Sequence, residues 1–325
     1  MNKQTLPRLW CPPLTHYNAQ GGIDAARMRA HWQHMAPYCN AFLVPGSTGD
    51  GWEMSDVEIN GLLKLAFEIA ADLESTLLLG ALKSDAVKTQ KRIEQMRGLI
   101  SAAAGDSSVA GFVICAPHGA ERTEAEMEDA FRTILSMQLP IGLYQLPQVT
   151  GNRFSTPLVA RLAGEFSNLR FIKDTSGEDS IANGLDNSQG LFLVRGAELD
   201  YKKWLREAGG PYDGFLLSTA NCFAKQLLEI IAKQHDGDLQ GAASLSDTLT
   251  DLATAAFGVV AELEDGNPFA NANKAIDHFM AFGADADLSE GPRLHAGSRL
   301  SAEILARVRE ILDKAGHLPR QGYLT

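Results

Sequence analysis

Eight short apolar runs recur along most of the chain, each closed by Gly, Pro or a polar residue and each followed by a longer stretch of helical periodicity. They span residues 9–13, 41–45, 76–81, 111–116, 141–146, 169–173, 191–195 and 214–218. Most are apolar without alternation, as strands buried on both faces must be, and such strands belong to parallel sheets covered by helices. The stretches near 24–36, 55–72, 85–104, 123–138, 156–166, 178–187, 198–208 and 221–235 read as helices. Ser55-Asp56 and Ser155-Thr156-Pro157 supply start signals, a capping hydroxyl with an early acidic residue or proline. Eight strand–helix units in series predict an α/β fold, the closed (β/α)8 TIM barrel, with an open doubly wound sheet as the competing arrangement.

The strand signal stops near residue 237, and 238–264, 268–282 and 299–315 read as helices. The expected organisation is a barrel over 1–237 with a C-terminal helical extension over 238–325. Leu249, Leu252, Phe257, Val260, Phe269, Ile276 and Phe279 give that extension more apolar surface than the outside of a monomeric barrel needs. A symmetric homo-oligomer, a tetramer built as a pair of dimers or a dimer, is therefore expected.

With 45% hydrophobic and 21% charged residues the chain has the material for a large core, which excludes disorder. Twenty-nine Lys and Arg face 40 Asp and Glu, a net charge of -11, and no basic run is present. Nucleic acid and anionic membrane surfaces are thus poor partners. An anionic small-molecule substrate must be held by a local device, backbone N–H groups or one buried cation. Cys11, Cys39, Cys115 and Cys222 are widely spaced and read as free thiols. The first residues lack the apolar stretch of a signal peptide, and no segment has the roughly 18 apolar residues of a membrane span, so a cytoplasmic location is expected.

In a barrel of this kind chemistry sits where the strands end. The sixth run ends in Lys173, which reads either as a structural cation paired with Asp174 or Glu198, or as an amine nucleophile. Burial would lower such an amine from about 10.4 toward about 7–8, and the neutral form can attack a ketone to make a Schiff base. Tyr144 lies on the preceding strand, about 4.8 Å away, as core filler or as a proton carrier helped by Lys173 and the Ser47 hydroxyl. Gly46-Ser47-Thr48-Gly49 is an ordinary turn or an anion nest. Neither the dinucleotide fingerprint nor a P-loop is present, so no nucleotide cofactor is expected. His31 and His34 read as a surface pair, Cys115 and His118 as an unmatched half-site, and His16, His235, His278, His295 and His317 as scattered, so no metal is expected.

Together these segments resemble the dihydrodipicolinate synthase/N-acetylneuraminate lyase family of Schiff-base-forming aldolases and dehydratases. Pro12-Pro13-Leu14-Thr15 is similar to the family's first-strand T-P-F region, and Gly46 to Gly51 to its G-[ST]-T-G-E-G turn. Tyr144 to Gly151 is similar to Y-N-x-P-x-x-T-G, Ile172 to Gly177 to I-K-D-[ST]-S-G, and Asn267-Pro268 to the N-P of a late helix. The resemblance implies that Lys173 forms an imine with a 2-oxo acid and Tyr144 moves the proton. It also implies that Ser47 relays to that tyrosine and Thr48 holds the substrate carboxylate, with Gly46 and Gly49 of the same turn binding substrate as well. Gly196 and Glu198 after the seventh strand and Ser218 after the eighth would face the substrate tail, their polarity suiting hydroxyl groups.

The departures bear on substrate. Val149 stands where synthases carry an Arg, His118-Gly119 where they carry a Tyr pair at a subunit contact, Asp50 replaces Glu and Gln145 replaces Asn. The expected function is aldol cleavage or dehydration of a 2-keto-3-deoxy sugar acid or related 2-oxo acid, with pyruvate as product or co-substrate. The alternatives are dihydrodipicolinate synthase activity, with Arg153 or a neighbouring subunit in place of the missing arginine, and a non-catalytic 2-oxo-acid-binding protein.

Overall fold

All eight runs form strands in one parallel sheet, and the sheet closes on itself. In the computed structural model, which describes residues 6–103, 108–186 and 190–325, these are β1 Leu9–Trp10, β2 Ala41–Val44, β3 Thr76–Gly80 and β4 Val109–Cys115. They continue with β5 Ile141–Gln145, β6 Leu169–Asp174, β7 Phe192–Arg195 and β8 Gly214–Leu216, in the order β1-β8-β7-β6-β5-β4-β3-β2. Cys11 completes the ring: its N–H reaches the Ala41 carbonyl at 2.9 Å and its carbonyl accepts from Leu43 at 2.9 Å. The fold is a (β/α)8 barrel, and the open sheet is excluded.

Period-two alternation decides which side chains enter the barrel. Leu43, Val113, Phe171, Val194 and Leu216 pack inside with Trp10, while Phe42, Ile114, Leu143, Ile172 and Leu193 face the helical layer. Tyr144 is the register partner of Lys173, and Lys173 of Val194, so phenol and amine share the top layer of the interior.

The helices are α1 Ala25–Met35, α2 Asp56–Leu73, α3 Ala86–Ala102, α4 Glu124–Leu135, α5 Pro147–Thr150, α6 Thr156–Glu165, α7 Ser180–Gly184 and α8 Ala220–His235. The expected helix ends at 104 and 187 lie outside the described residues. Capping boxes open α2 at Ser55–Glu58 and α4 at Thr123–Glu126. The single turn α5 was not expected. The seventh unit departs further, because 198–208 forms two 3-10 turns, Tyr201–Lys203 and Arg206–Ala208, instead of a helix. Arg195 explains this: its Nη1 takes the carbonyls of Ala197, Glu198 and Leu199, the acceptors a helix there would need.

The extension consists of α9 Leu239–Val260, α10 Pro268–Phe282 and α11 Ala302–Lys314, packed on one another and on α8. Leu249, Leu252, Val260, Ile276 and Phe279 are buried within this chain, each burial stabilising by about 1.5–3 kcal/mol. The apolar residues that prompted the oligomer expectation are therefore mostly accounted for by one chain's own packing. Phe257 and Phe269 are the exceptions, and they meet edge to face at 5.0 Å. Among the described residues no helix is long and apolar enough to cross a membrane. All four cysteines are free and buried, and burial pushes the Cys39 thiol up to about 12.

Candidate active site

A cavity of about 280 Å³ opens at the C-terminal ends of the strands, with Lys173 and Tyr144 on its wall. Both are almost fully buried, and the lysine Nζ lies 4.0 Å from the centroid of the tyrosine ring. Lys173 forms no ion pair among the described residues, which answers the structural reading of this lysine. Asp174 turns away to accept from the N–H and hydroxyl of Ser176 at 2.9 and 2.6 Å, and its burial raises its carboxyl above the usual range. The Glu198 carboxylate is held at 2.6 to 3.1 Å by Ser218, Tyr201 and the hydroxyl and N–H of Thr219. A buried amine with no carboxylate partner serves no structural ion pair, and burial of this kind is compatible with Schiff-base chemistry.

Gly196 makes room for it. A Cβ there would stand 2.8 Å from Lys173 Cε and 2.2 Å from Thr175 Oγ1. Arg195 fixes the same loop through its carbonyl contacts and a two-point pairing with Asp179 at 2.9 and 3.2 Å, its guanidinium stacked 3.8 Å over Trp204.

Ser47, Thr48, Gly196, Glu198 and Ser218 line the cavity as the sequence suggests, and Gly46 and Gly49 do not. The two glycines permit close packing instead, since a Cβ would approach Pro12 Cβ at Gly46 and the Pro13 carbonyl at Gly49 to 2.6 Å. The N–H groups of Gly49, Asp50 and Gly51 bond back to Gly46 and Ser47 within the turn. Those of Ser47 and Thr48 are the donors the turn does not use on itself. Ser47 Oγ accepts from Trp52 Nε1 at 3.0 Å and makes no hydrogen bond with Tyr144, so the expected relay contact is absent in this structure.

Several positioning residues escaped the sequence reading. Asp50, at φ 59, accepts at one oxygen from both Tyr17 and Lys274 at 2.8 Å, which ties the turn to α10. Asn221 joins the first and last loops, accepting from Leu14 N–H and donating to the Pro12 and Ser218 carbonyls. Phe257, Asn267 and Phe269 from the extension reach the cavity mouth. Asp50 and Asn267-Pro268 stood out in the sequence only as parts of motifs, and nothing there paired Asp50 with Lys274 on α10. A second hollow, about 350 Å³, lies where the strands begin, between Val109, Pro140 and Arg170, away from Lys173.

His31 is fully buried, contrary to the expected surface pair, and His16 is not scattered but bonded to it. His31 Nε2 lies 3.0 Å from the Asn221 carbonyl and must donate, so its Nδ1 accepts from His16 Nε2 at 3.1 Å, with both rings neutral. Burial lowers both imidazoles below their ordinary value. Asp277 completes the only grouping of metal-ligand type among the described residues. Arg27 at 2.6 Å and Tyr323 at 2.9 Å already occupy its carboxylate, so the cluster holds α1, α8, α10 and the C-terminal segment together rather than offering a cation site. His118 packs against the Trp52 ring at 5.0 Å, outside the cavity.

A sequence model of the Dihydrodipicolinate synthetase family matches residues 5–262. The 4-hydroxy-tetrahydrodipicolinate synthase of Buchnera aphidicola subsp. Acyrthosiphon pisum (strain Tuc7) is 26% identical over 230 residues, 69% of this chain and 73% of that protein. The same-named enzyme of Thermotoga sp. (strain RQ2) is 25% identical over 223 residues, 67% and 72% of the two chains. Among solved structures, YagE, a prophage protein of the dihydrodipicolinic acid synthase family from E. coli K12 in complex with pyruvate, superposes with a TM-score of 0.77 at 21% identity. That superposition covers 96% of this chain and 99% of YagE. KD(P)GA from T. tenax gives 0.73 at 18% identity, covering 95% and 99%. At these identities the structures establish a shared fold.

Proposed function

We propose, from the premise that this chain belongs to the dihydrodipicolinate synthetase family of class I lyases, that it splits or dehydrates a 4-hydroxy-2-oxo acid through an imine on Lys173. Pyruvate is the product of cleavage or the co-substrate of the reverse condensation, and a 2-keto-3-deoxy sugar acid is one substrate of this type. The observation that carries the reading is the buried Lys173 amine, stacked on Tyr144 and without a carboxylate partner among the described residues.

The neutral amine adds to the C2 carbonyl and water leaves, so the imine can accept the electron pair released beside it. Tyr144 gives its proton to the departing C2 hydroxyl as the protonated imine forms; the phenolate so left takes the proton of the substrate hydroxyl as the C3–C4 bond breaks, passes it to C3, and regains a proton from the water that hydrolyses the imine and frees the lysine. The Ser47 and Thr48 N–H groups hold the carboxylate, the local device a chain of net charge -11 requires.

Borohydride reduction with pyruvate, followed by peptide mass mapping, is expected to label Lys173, and Lys173→Ala to lose both label and turnover. An unlabelled lysine, or full activity in the variant, refutes the imine. Synthase activity is the second reading, favoured by the names of the relatives. Against it, Val149 occupies the cavity wall and Arg153 is exposed and paired with Glu178 at 3.1 Å. A coupled assay with pyruvate and aspartate semialdehyde is expected to run more slowly than cleavage of a 4-hydroxy-2-oxo acid. A binding protein without catalysis would show stabilisation by 2-oxo acids and no trapping.

A further inference from the structure

Most polar side chains on the tail side of the cavity are spent on one another, with the buried Thr175 Oγ1 the exception. Glu198 is filled by Ser218, Thr219 and Tyr201. Gln148 Nε2 donates to the Thr175 carbonyl at 3.0 Å. Asn267 Oδ1 caps α10 through the N–H groups of Phe269 and Ala270. A sugar tail would have to break these bonds to gain its own, and exchanging one satisfied hydrogen bond for another contributes little.

The cation inventory is equally restrictive. Among the described residues Lys173 is the only Lys or Arg lining the cavity, and the imine consumes its amine. A second carboxylate on the substrate would meet no counter-charge there and would face Glu198 instead.

Apolar groups, by contrast, stand open at the mouth. Val149 and Phe269 are 36% and 40% exposed, although most large apolar side chains of this protein are buried. Phe269 meets Phe257 at an interplanar angle of 75°, and Leu146 and Leu199 line the same cavity. Edge-to-face aromatic pairs accept a further ring readily, and a cavity with apolar walls whose polar groups are mostly spent selects by apolar contact.

We propose that the substrate carries an uncharged aryl group on C4, so that the enzyme interconverts a 4-aryl-4-hydroxy-2-oxo acid with pyruvate and an aromatic aldehyde. This rests on the imine reading above and names its substrate class. In the cleavage direction the C3–C4 bond breaks, its electron pair enters the imine to give an enamine, and the C4 hydroxyl becomes the aldehyde carbonyl as it loses its proton. Protonation at C3 and addition of water then release pyruvate and restore the amine, with no redox partner required. Phe257 and Phe269 are specificity-determining residues, contributed to the barrel's site by the helical extension.

The test measures cleavage of three 4-hydroxy-2-oxo acids, derived from benzaldehyde, glyceraldehyde and a carboxylate-bearing aldehyde, with borohydride trapping by pyruvate alone run in parallel. The aryl acid is expected to show a kcat/KM at least tenfold above the other two. Phe257→Ala and Phe269→Ala should each raise its KM several-fold with a smaller change in kcat, and Phe269, being partly exposed, can be removed without unfolding the chain. Best turnover of the glyceraldehyde or carboxylate acid, equal rates across the three, or trapping by pyruvate without turnover of the aryl acid overturns the proposal. Failure of trapping instead overturns the imine reading beneath it, so the two failures are distinguishable.

Discussion

Lys274→Met removes one half of a buried ion pair and tests how the extension supports the site. The ammonium lies 2.8 Å from Asp50 Oδ2, with side-chain exposures of 1% and 3%. In an effective dielectric of about 20 the attraction at that distance is about 6 kcal/mol, and desolvation of the two charges offsets several kcal/mol of it. The net value of the pair is therefore small, but the cost of losing one member is not. The substitution would leave the Asp50 carboxylate buried with only the Tyr17 hydroxyl, a destabilisation of about 3–5 kcal/mol. An unfolding entropy of about 2.1 cal/mol/K per residue turns this into a fall in Tm of roughly 4–7 °C for a chain of this length. Asp50→Asn combined with Lys274→Met neutralises both partners, keeps an acceptor for Tyr17 and suits the positive φ at position 50. The double variant should recover a large part of the loss, and thermal melts of the four proteins give the cycle. Pyruvate trapping should slow in Lys274→Met, because Asp50 belongs to the turn that carries Ser47 and Thr48. A single variant within about 1 kcal/mol of the parent, or losses that simply add, refutes the reasoning.

Two further outcomes follow from other contacts. Gly196→Ala places a methyl against Lys173 Cε and Thr175 Oγ1, so trapping and turnover are expected to drop at least tenfold while Tm changes little; unchanged trapping would show that the lysine position is not set there. Acid should destabilise the fold in two steps. His16 and His31 are held neutral chiefly by burial, so the unfolded chain binds protons near pH 6.5 that the folded chain refuses, and stability falls as pH drops below about 6.5 by up to about 1.4 kcal/mol per unit for each ring. Burial alone would raise the Asp277 carboxyl, but the Arg27 guanidinium, with the Tyr323 hydroxyl donating to it, outweighs burial and holds the group at about 2, so its contribution is lost as pH falls from about 4 toward 2. Melts from pH 7.5 to 2 check both windows, with His16→Asn expected to flatten the upper one; a Tm independent of pH between 7.5 and 5 refutes it.

The barrel and the adjacency of Tyr144 and Lys173 inside it were legible in the residues themselves. Runs of apolar side chains at strand length report burial on both faces, and the step of two along a strand places Phe171 and Lys173 on one side of the sheet. Local chemistry was equally readable in the caps at Ser55 and Thr123 and in the Gly46–Gly49 turn, because each depends on neighbours a few residues away. Tertiary structure alone decided what depends on closure. Asp50 meets Lys274 across 224 positions, and His31 meets His16 and Asp277, only after the ring has joined and the extension has docked. Arg195 turned the expected seventh helix into 3-10 turns by capturing carbonyls that periodicity assigned to the helix, a competition invisible until its side chain has a direction. The surroundings of Glu198 and Ser218 depended on the same step: composition marks both as polar, but whether their hydrogen bonds face outward or each other is set by folded geometry, and here they face each other.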